Sequence, residues 1–71
     1  MAKYFVQIST DDEGNHEIHA AGCKAMPDEQ DRITLGNFLT CRPALTEAKK
    51  HFPKVNACRL CSKPCHTPPA N

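Results

Sequence analysis

Four residues in this chain have the type and spacing to hold a metal ion. His19 and Cys23 form an H-x3-C pair, and Cys58 and Cys61 form a C-x2-C pair. Zinc takes four soft or borderline ligands at tetrahedral angles, and two close pairs separated by a long segment supply them. A C-x2-C knuckle lets two thiolates reach one ion from a tight turn whose N–H groups stabilise their charge. The segment between the pairs is 34 residues long, enough to pack secondary structure over the site. Three further residues complicate the count: Cys41, Cys65 and His66. Cys65 or His66 is an alternative to His19 in the coordination sphere. Cys65 otherwise lies against Cys41, which falls on an apolar helical stripe and reads as a small buried hydrophobe. His16 and His51 read as exposed polar residues.

Other chemistries fit less well. Cys58-Arg59-Leu60-Cys61 as a redox dithiol lacks a preceding thioredoxin-like βαβ pattern. A c-type haem is excluded because Ser62, not His, follows Cys61. An iron–sulfur cluster on Cys58, Cys61 and Cys65 with Cys23 or Cys41 is the remaining cofactor alternative. The chain shows no phosphate-binding or dinucleotide-binding glycine pattern and no supported Ser-His-Asp order. It offers more than four candidate ligands, so a closed structural site is expected rather than an open catalytic one. No enzymatic activity and no small-molecule substrate are expected.

The elements that must position these ligands are few. Tyr4 to Ile8 alternates and is rich in β-branched and aromatic residues, which predicts a strand. Asp11-Asp12-Glu13-Gly14-Asn15 is a turn cluster, and His16 to Ala20 resumes the alternation, so the two runs predict a β-hairpin. Residues 24–31 have no period and read as a surface loop. Arg32 to Gly36 predicts a third short strand. A helix is expected from about Pro43 to Phe52, with Cys41, Leu45, Ala48 and Phe52 on one stripe. Pro43 suits its first position, Lys49, Lys50 and His51 complement its dipole, and Pro53 stops it. A turn with the Cys58–Cys61 knuckle and a Pro-rich end follow. The expected class is α+β: a small zinc-stapled domain with a three-stranded antiparallel sheet, one main helix and a Cys knuckle. It comprises residues 1–66, with 67–71 a flexible tail.

Size makes the staple necessary. Seventy-one residues with 39% hydrophobic content and no Trp make one thin-cored domain. Chains below about 70–80 residues usually need a metal, disulfides or a partner. An odd count of five Cys and the lack of a secretory leader favour metal over disulfides and a cytoplasmic location. No apolar run is long enough to span a membrane. The net charge of +1 hides an asymmetry: residues 1–39 sum to −4 and residues 40–71 to +5. Arg42, Lys49, Lys50, Lys54, Arg59 and Lys63 supply the basic half, whose bland reading is solvated surface. The partners it would suit are a nucleic acid, through phosphates, or an acidic protein.

The order Ile18-His19-Ala20-Ala21-Gly22-Cys23, Ile33 to Phe38, Ala44-Leu45-Thr46-Glu47-Ala48 and Ala57-Cys58-Arg59-Leu60-Cys61 resembles the zinc-binding N-terminal domain of the Ada DNA-repair proteins. The likeness covers roughly residues 16–62. The chain is also similar to a group of small stand-alone bacterial proteins reading H-x3-C, L-G-x-F, A-x3-A-K, C-x2-C and C-H-T. Here those are His19/Cys23, Leu35 to Phe38, Ala44/Ala48-Lys49, Cys58/Cys61 and Cys65-His66-Thr67. This second likeness is closer and names no activity. The Ada resemblance implies structural zinc and DNA association. It also implies a departure, because the first ligand of the Ada pair is the cysteine that accepts a methyl group from DNA phosphotriesters. His19 stands there in this chain, and a neutral imidazole lacks the thiolate nucleophile. Methyl acceptance is therefore not expected.

Overall fold

A computed structural model describes residues 1–68. The chain runs β1 (Ala2–Gln7), β2 (His16–Ala20), a 3-10 turn (Glu29–Asp31), β3 (Arg32–Phe38), α1 (Cys41–Ala48), β4 (Val55–Ala57) and a last 3-10 turn (Lys63–Cys65). The strands form one sheet in the order β3-β1-β2-β4. β1 pairs antiparallel with both β2 and β3. β4 adds a fourth strand, parallel to β2, so the sheet is mixed and not purely antiparallel. Parallel neighbours need a long crossover, and here that crossover contains β3 and α1.

Alternation builds the sheet. Tyr4 and Val6 of β1 and Ile18 of β2 are buried on one face, where they meet Cys41, Ala44 and Ala48 of α1 and Ala57 of β4. Ala44 and Ala48 have no bulk to hold the helix off the sheet, and both are fully buried. The core is correspondingly thin, with Tyr4 its one buried aromatic ring. His19 lies next to Ile18 in sequence, so the two-residue period turns it to the opposite face of the sheet.

The helix begins two residues earlier than expected. Pro43 is its third residue, not its first. Any place in the first turn suits proline, because those N–H groups have no intrahelical partner. The regular helix ends at Ala48, and the chain continues in turns, with Lys49, Lys50, His51 and Phe52 N–H groups donating back to Leu45, Glu47 and Ala48 carbonyls. The expected stripe shifts accordingly: Ala44 is buried and Leu45 only half-buried. Within the loop of residues 24–31, Glu29–Asp31 close a single 3-10 turn. The expected tail falls partly outside the described residues, at 69–71. Thr67 is held: its N–H donates to Asn56 Oδ1 at 2.9 Å, and its carbonyl accepts from Asn56 Nδ2 at 2.7 Å. Among the described residues, no helix is long and apolar enough to cross a membrane.

Candidate metal centre

The fold brings His19, Cys23, Cys58 and Cys61 together. Their ligand atoms all lie within 4.8 Å of one another. Cys23 Sγ is 3.8 Å from His19 Nδ1 and 3.8 Å from Cys58 Sγ. His19 and Cys58 are buried, whereas Cys23 and Cys61 are half-exposed. The cluster could hold a metal ion through one ring nitrogen and three sulfurs.

Each ligand is placed by its local backbone. His19 projects from β2, in register with Phe5 of β1. After the strand ends, Gly22 takes a left-handed φ of 88° and Cys23 N–H donates to the Ala20 carbonyl at 3.1 Å. That reversal carries Cys23 back beneath His19. On the other side, the Cys58 N–H donates to the Ile18 carbonyl at 3.0 Å, anchoring the knuckle to β2 directly after β4. The knuckle then closes through Ser62 N–H to the Cys58 carbonyl at 2.9 Å. The parallel β2–β4 pair therefore sets the two ligand pairs side by side.

Backbone donors converge on the sulfurs. Ala20 N–H points at Cys61 Sγ (3.3 Å), Ala25 N–H at Cys23 Sγ (3.4 Å) and Leu60 N–H at Cys58 Sγ (3.4 Å). The Ser62 hydroxyl adds a contact to Cys61 Sγ at 3.8 Å. Such donors suit thiolates better than thiols. Burial and mutual hydrogen bonding together shift the Cys23 and Cys61 thiols in opposite directions. Burial first, then hydrogen bonding with Cys61 and Cys58, pushes the Cys23 thiol up to about 12, against the pull of the Ala25 amide. Burial also acts to raise Cys61, but hydrogen bonds from Cys23, the Ala20 amide, Ser62 and Cys58 outweigh it and bring Cys61 below the ordinary thiol value. Burial lowers the pKa of His19, which favours the neutral ring that a metal requires.

The alternative ligands lie elsewhere. Cys41 and Cys65 are joined by a disulfide, so neither offers a thiolate. Cys41 is buried as expected, but as half of a covalent pair rather than as a lone small hydrophobe. The preference for metal over disulfides thus covers three cysteines and not the other two, which also explains the odd count. His66 Nδ1 lies 2.8 Å from the Ala57 carbonyl, where it donates a hydrogen bond and braces β4. The cluster includes His19 and neither Cys65 nor His66. His51 is exposed, but His16 is half-buried and stacks on Phe52 with ring centroids 3.7 Å apart. The six basic candidates Arg42, Lys49, Lys50, Lys54, Arg59 and Lys63 are all exposed. Lys50 pairs with Glu47 at 3.2 Å, and Lys54 Nζ donates to the Glu13 carbonyl at 2.6 Å.

One residue at the site escaped the sequence reading. Gln7 Oε1 lies 3.0 Å from His19 Nε2, the ring nitrogen turned away from the sulfurs. The available signal was the strand period: Phe5 and Gln7 share a face of β1, and Phe5 is in register with His19. Comparison with protein-family models, curated proteins and solved structures finds no match to this chain.

Proposed function

We propose that the chain is a non-catalytic zinc-binding module that presents its basic C-terminal half to a nucleic acid. The observation that carries the zinc reading is the convergence of four ligand atoms within 4.8 Å. A tetrahedron with metal–sulfur arms of about 2.3 Å has edges of about 3.8 Å. The Cys23–Cys58 and Cys23–His19 separations are both 3.8 Å. Three thiolates and one imidazole favour zinc over magnesium or calcium, which prefer oxygen donors. Four protein ligands also complete zinc's coordination and leave no open position for substrate, which supports a structural role.

The nucleic-acid part rests on the surface charge. It is supported by the exposure of all six basic residues and by the motif order shared with Ada zinc domains. A cytoplasmic setting belongs to the same proposal. An acidic protein partner is the second reading. It is favoured by Leu60, which is 64% exposed at the tip of the metal knuckle, between Arg59 and Cys61. Methyl acceptance stays outside both readings, because His19 fills the position where Ada domains carry the acceptor thiolate.

Two measurements test this. Native mass spectrometry and cobalt substitution should show one tetrahedral, thiolate-rich ion per chain; a folded, metal-free chain overturns the zinc reading. Duplex DNA binding should weaken steeply as salt rises, because each neutralised phosphate releases a counterion. Charge reversal at Lys49, Lys50 and Arg59 should weaken it further. Failure to bind DNA or RNA at low salt overturns the nucleic-acid part and leaves the protein-partner reading.

A further inference from the structure

We propose that Gln7, Ser9 and Asp31 act as a positioning relay that makes Nδ1 of His19 the ligand atom and keeps the proton on Nε2. The inference rests on the metal-site reading above and adds to it the residues that hold one ligand in its binding form. The argument starts at the far end of the relay. The Asp31 carboxylate can only accept hydrogen bonds. Its Oδ2 is 2.6 Å from Ser9 Oγ, and its Oδ1 accepts the Ser9 N–H at 2.8 Å. A hydroxyl has one proton, so the Ser9 proton points at Asp31 and its oxygen must accept from elsewhere. It accepts from Gln7 Nε2, 2.8 Å away. That fixes the Gln7 amide: its nitrogen faces Ser9 and its oxygen faces His19 Nε2 at 3.0 Å. An amide oxygen accepts only, so Nε2 must carry the ring proton. Nδ1 is left with the lone pair, 3.8 Å from Cys23 Sγ and inside the cluster.

Reversing the amide breaks the chain. Two amide and imidazole N–H donors would then face one another, or the ring proton would move to Nδ1 and block the ligand position. Ser9 would also have to give its one proton to Gln7, leaving its close contact with Asp31 without a proton. The sheet builds the relay. Gln7 pairs with Arg32 where β1 meets β3, and Ile8 N–H donates to the Asp31 carbonyl at 2.8 Å, so Ser9 is set beside Asp31. Glu17 is the competing outer carboxylate, but its Oε1 stands 3.9 Å from Nε2, beyond hydrogen-bonding reach. Outer partners of this kind orient the ring and raise its basicity toward the metal.

The test is metal affinity by chelator competition on the folded, loaded protein, together with long-range proton–nitrogen NMR of the His19 ring. Wild type should show Nδ1 as the metal-bound nitrogen and a protected proton on Nε2. Gln7→Leu should weaken metal binding about 10- to 100-fold. Ser9→Ala should weaken it in the same direction by less, because its site is exposed. Gln7→Glu keeps an acceptor oxygen and should recover most of the affinity, and Glu17→Gln should leave it unchanged. Should Gln7→Leu fail to fold, Gln7→Met and the wild-type ring spectrum carry the test. Nε2 as the bound nitrogen overturns the relay. So does an unchanged affinity in the Gln7 and Ser9 variants, or an affinity lost in Glu17→Gln instead. A wild type that binds no metal overturns the metal reading itself, which is a different result from a metal-loaded wild type with indifferent variants.

Discussion

The grouping of His19, Cys23, Cys58 and Cys61 was legible because residue types able to hold a metal are rare at such spacing. Pairing within the remaining cysteines was not. Nothing in the sequence separates a Cys65 that reaches the metal from one that reaches Cys41; only the turn at Lys63–Cys65, folding back toward the start of the helix, decides it. His16 was misjudged because the partner that shelters it, Phe52, lies 36 residues away. His19 itself carries a pH consequence. Burial depresses its pKa below the ordinary 6.5. At pH below 6.5 the unfolded chain binds a proton that the folded ring refuses, so stability present above that pH falls as acid is added. In the metal-bound reading, protonation of the three thiolates would release the metal and act in the same direction. Unfolding midpoints should therefore drop between about pH 7.5 and about pH 5.5. A flat or rising midpoint would show that His19 is not held neutral.

At the scale of elements, the hairpin, the third strand and the helix followed from alternation, turn residues and proline, with ends displaced by at most four residues. β4 was missed for a physical reason: three residues, Val55–Ala57, are too few for a period to show, and a parallel partner is distant in sequence. Yet this short strand delivers Cys58 to the site. Gly22 is the complementary device on the other ligand pair. No atom would lie within 4 Å of a Cβ added there, so its requirement comes from φ alone. Gly22→Ala should cost about 1–2 kcal/mol through the left-handed conformation. Chemical denaturation of the metal-loaded protein checks this. A loss near zero would mean the Cys23 turn tolerates another backbone path.

For the whole molecule, the question is which staple holds it. The disulfide closes a loop with a sequence separation of 24, worth about 3 kcal/mol by loop entropy. Structural zinc supplies about 10–16 kcal/mol in small domains. A single core in a chain of this size supplies about 3–5 kcal/mol, here centred on Tyr4, Val6, Ile18 and three alanines. Chelation should thus abolish amide dispersion in the proton NMR spectrum even with the disulfide intact. Cys65→Ser should keep one metal per chain while lowering the unfolding free energy by about 3 kcal/mol. A chelated chain that stays folded, or a Cys65→Ser chain that loses its metal, would reverse the ranking. In a reducing compartment, where the disulfide opens, a metal held by the cluster would be the staple left.

The clasp between Asn56 and Thr67 has an effect beyond holding the chain's end. A carboxamide carries N–H donors and a carbonyl acceptor side by side, as a peptide link does. Asn56 uses both on the Thr67 backbone, so the C-terminal segment lies against β4 much as another strand would. The border of the sheet at β4 is thereby shielded from strangers. Sheet extension, whether by a passing peptide or by a second copy in a crowded solution, is left to the opposite border at β3. There Gly36, at a φ of 125°, and the register shift beside it at Tyr4/Phe5 interrupt the flat, regular ladder that fibril growth needs. Each border of the small sheet thus departs from a regular open ladder, through a side-chain clasp at β4 and a kink at β3.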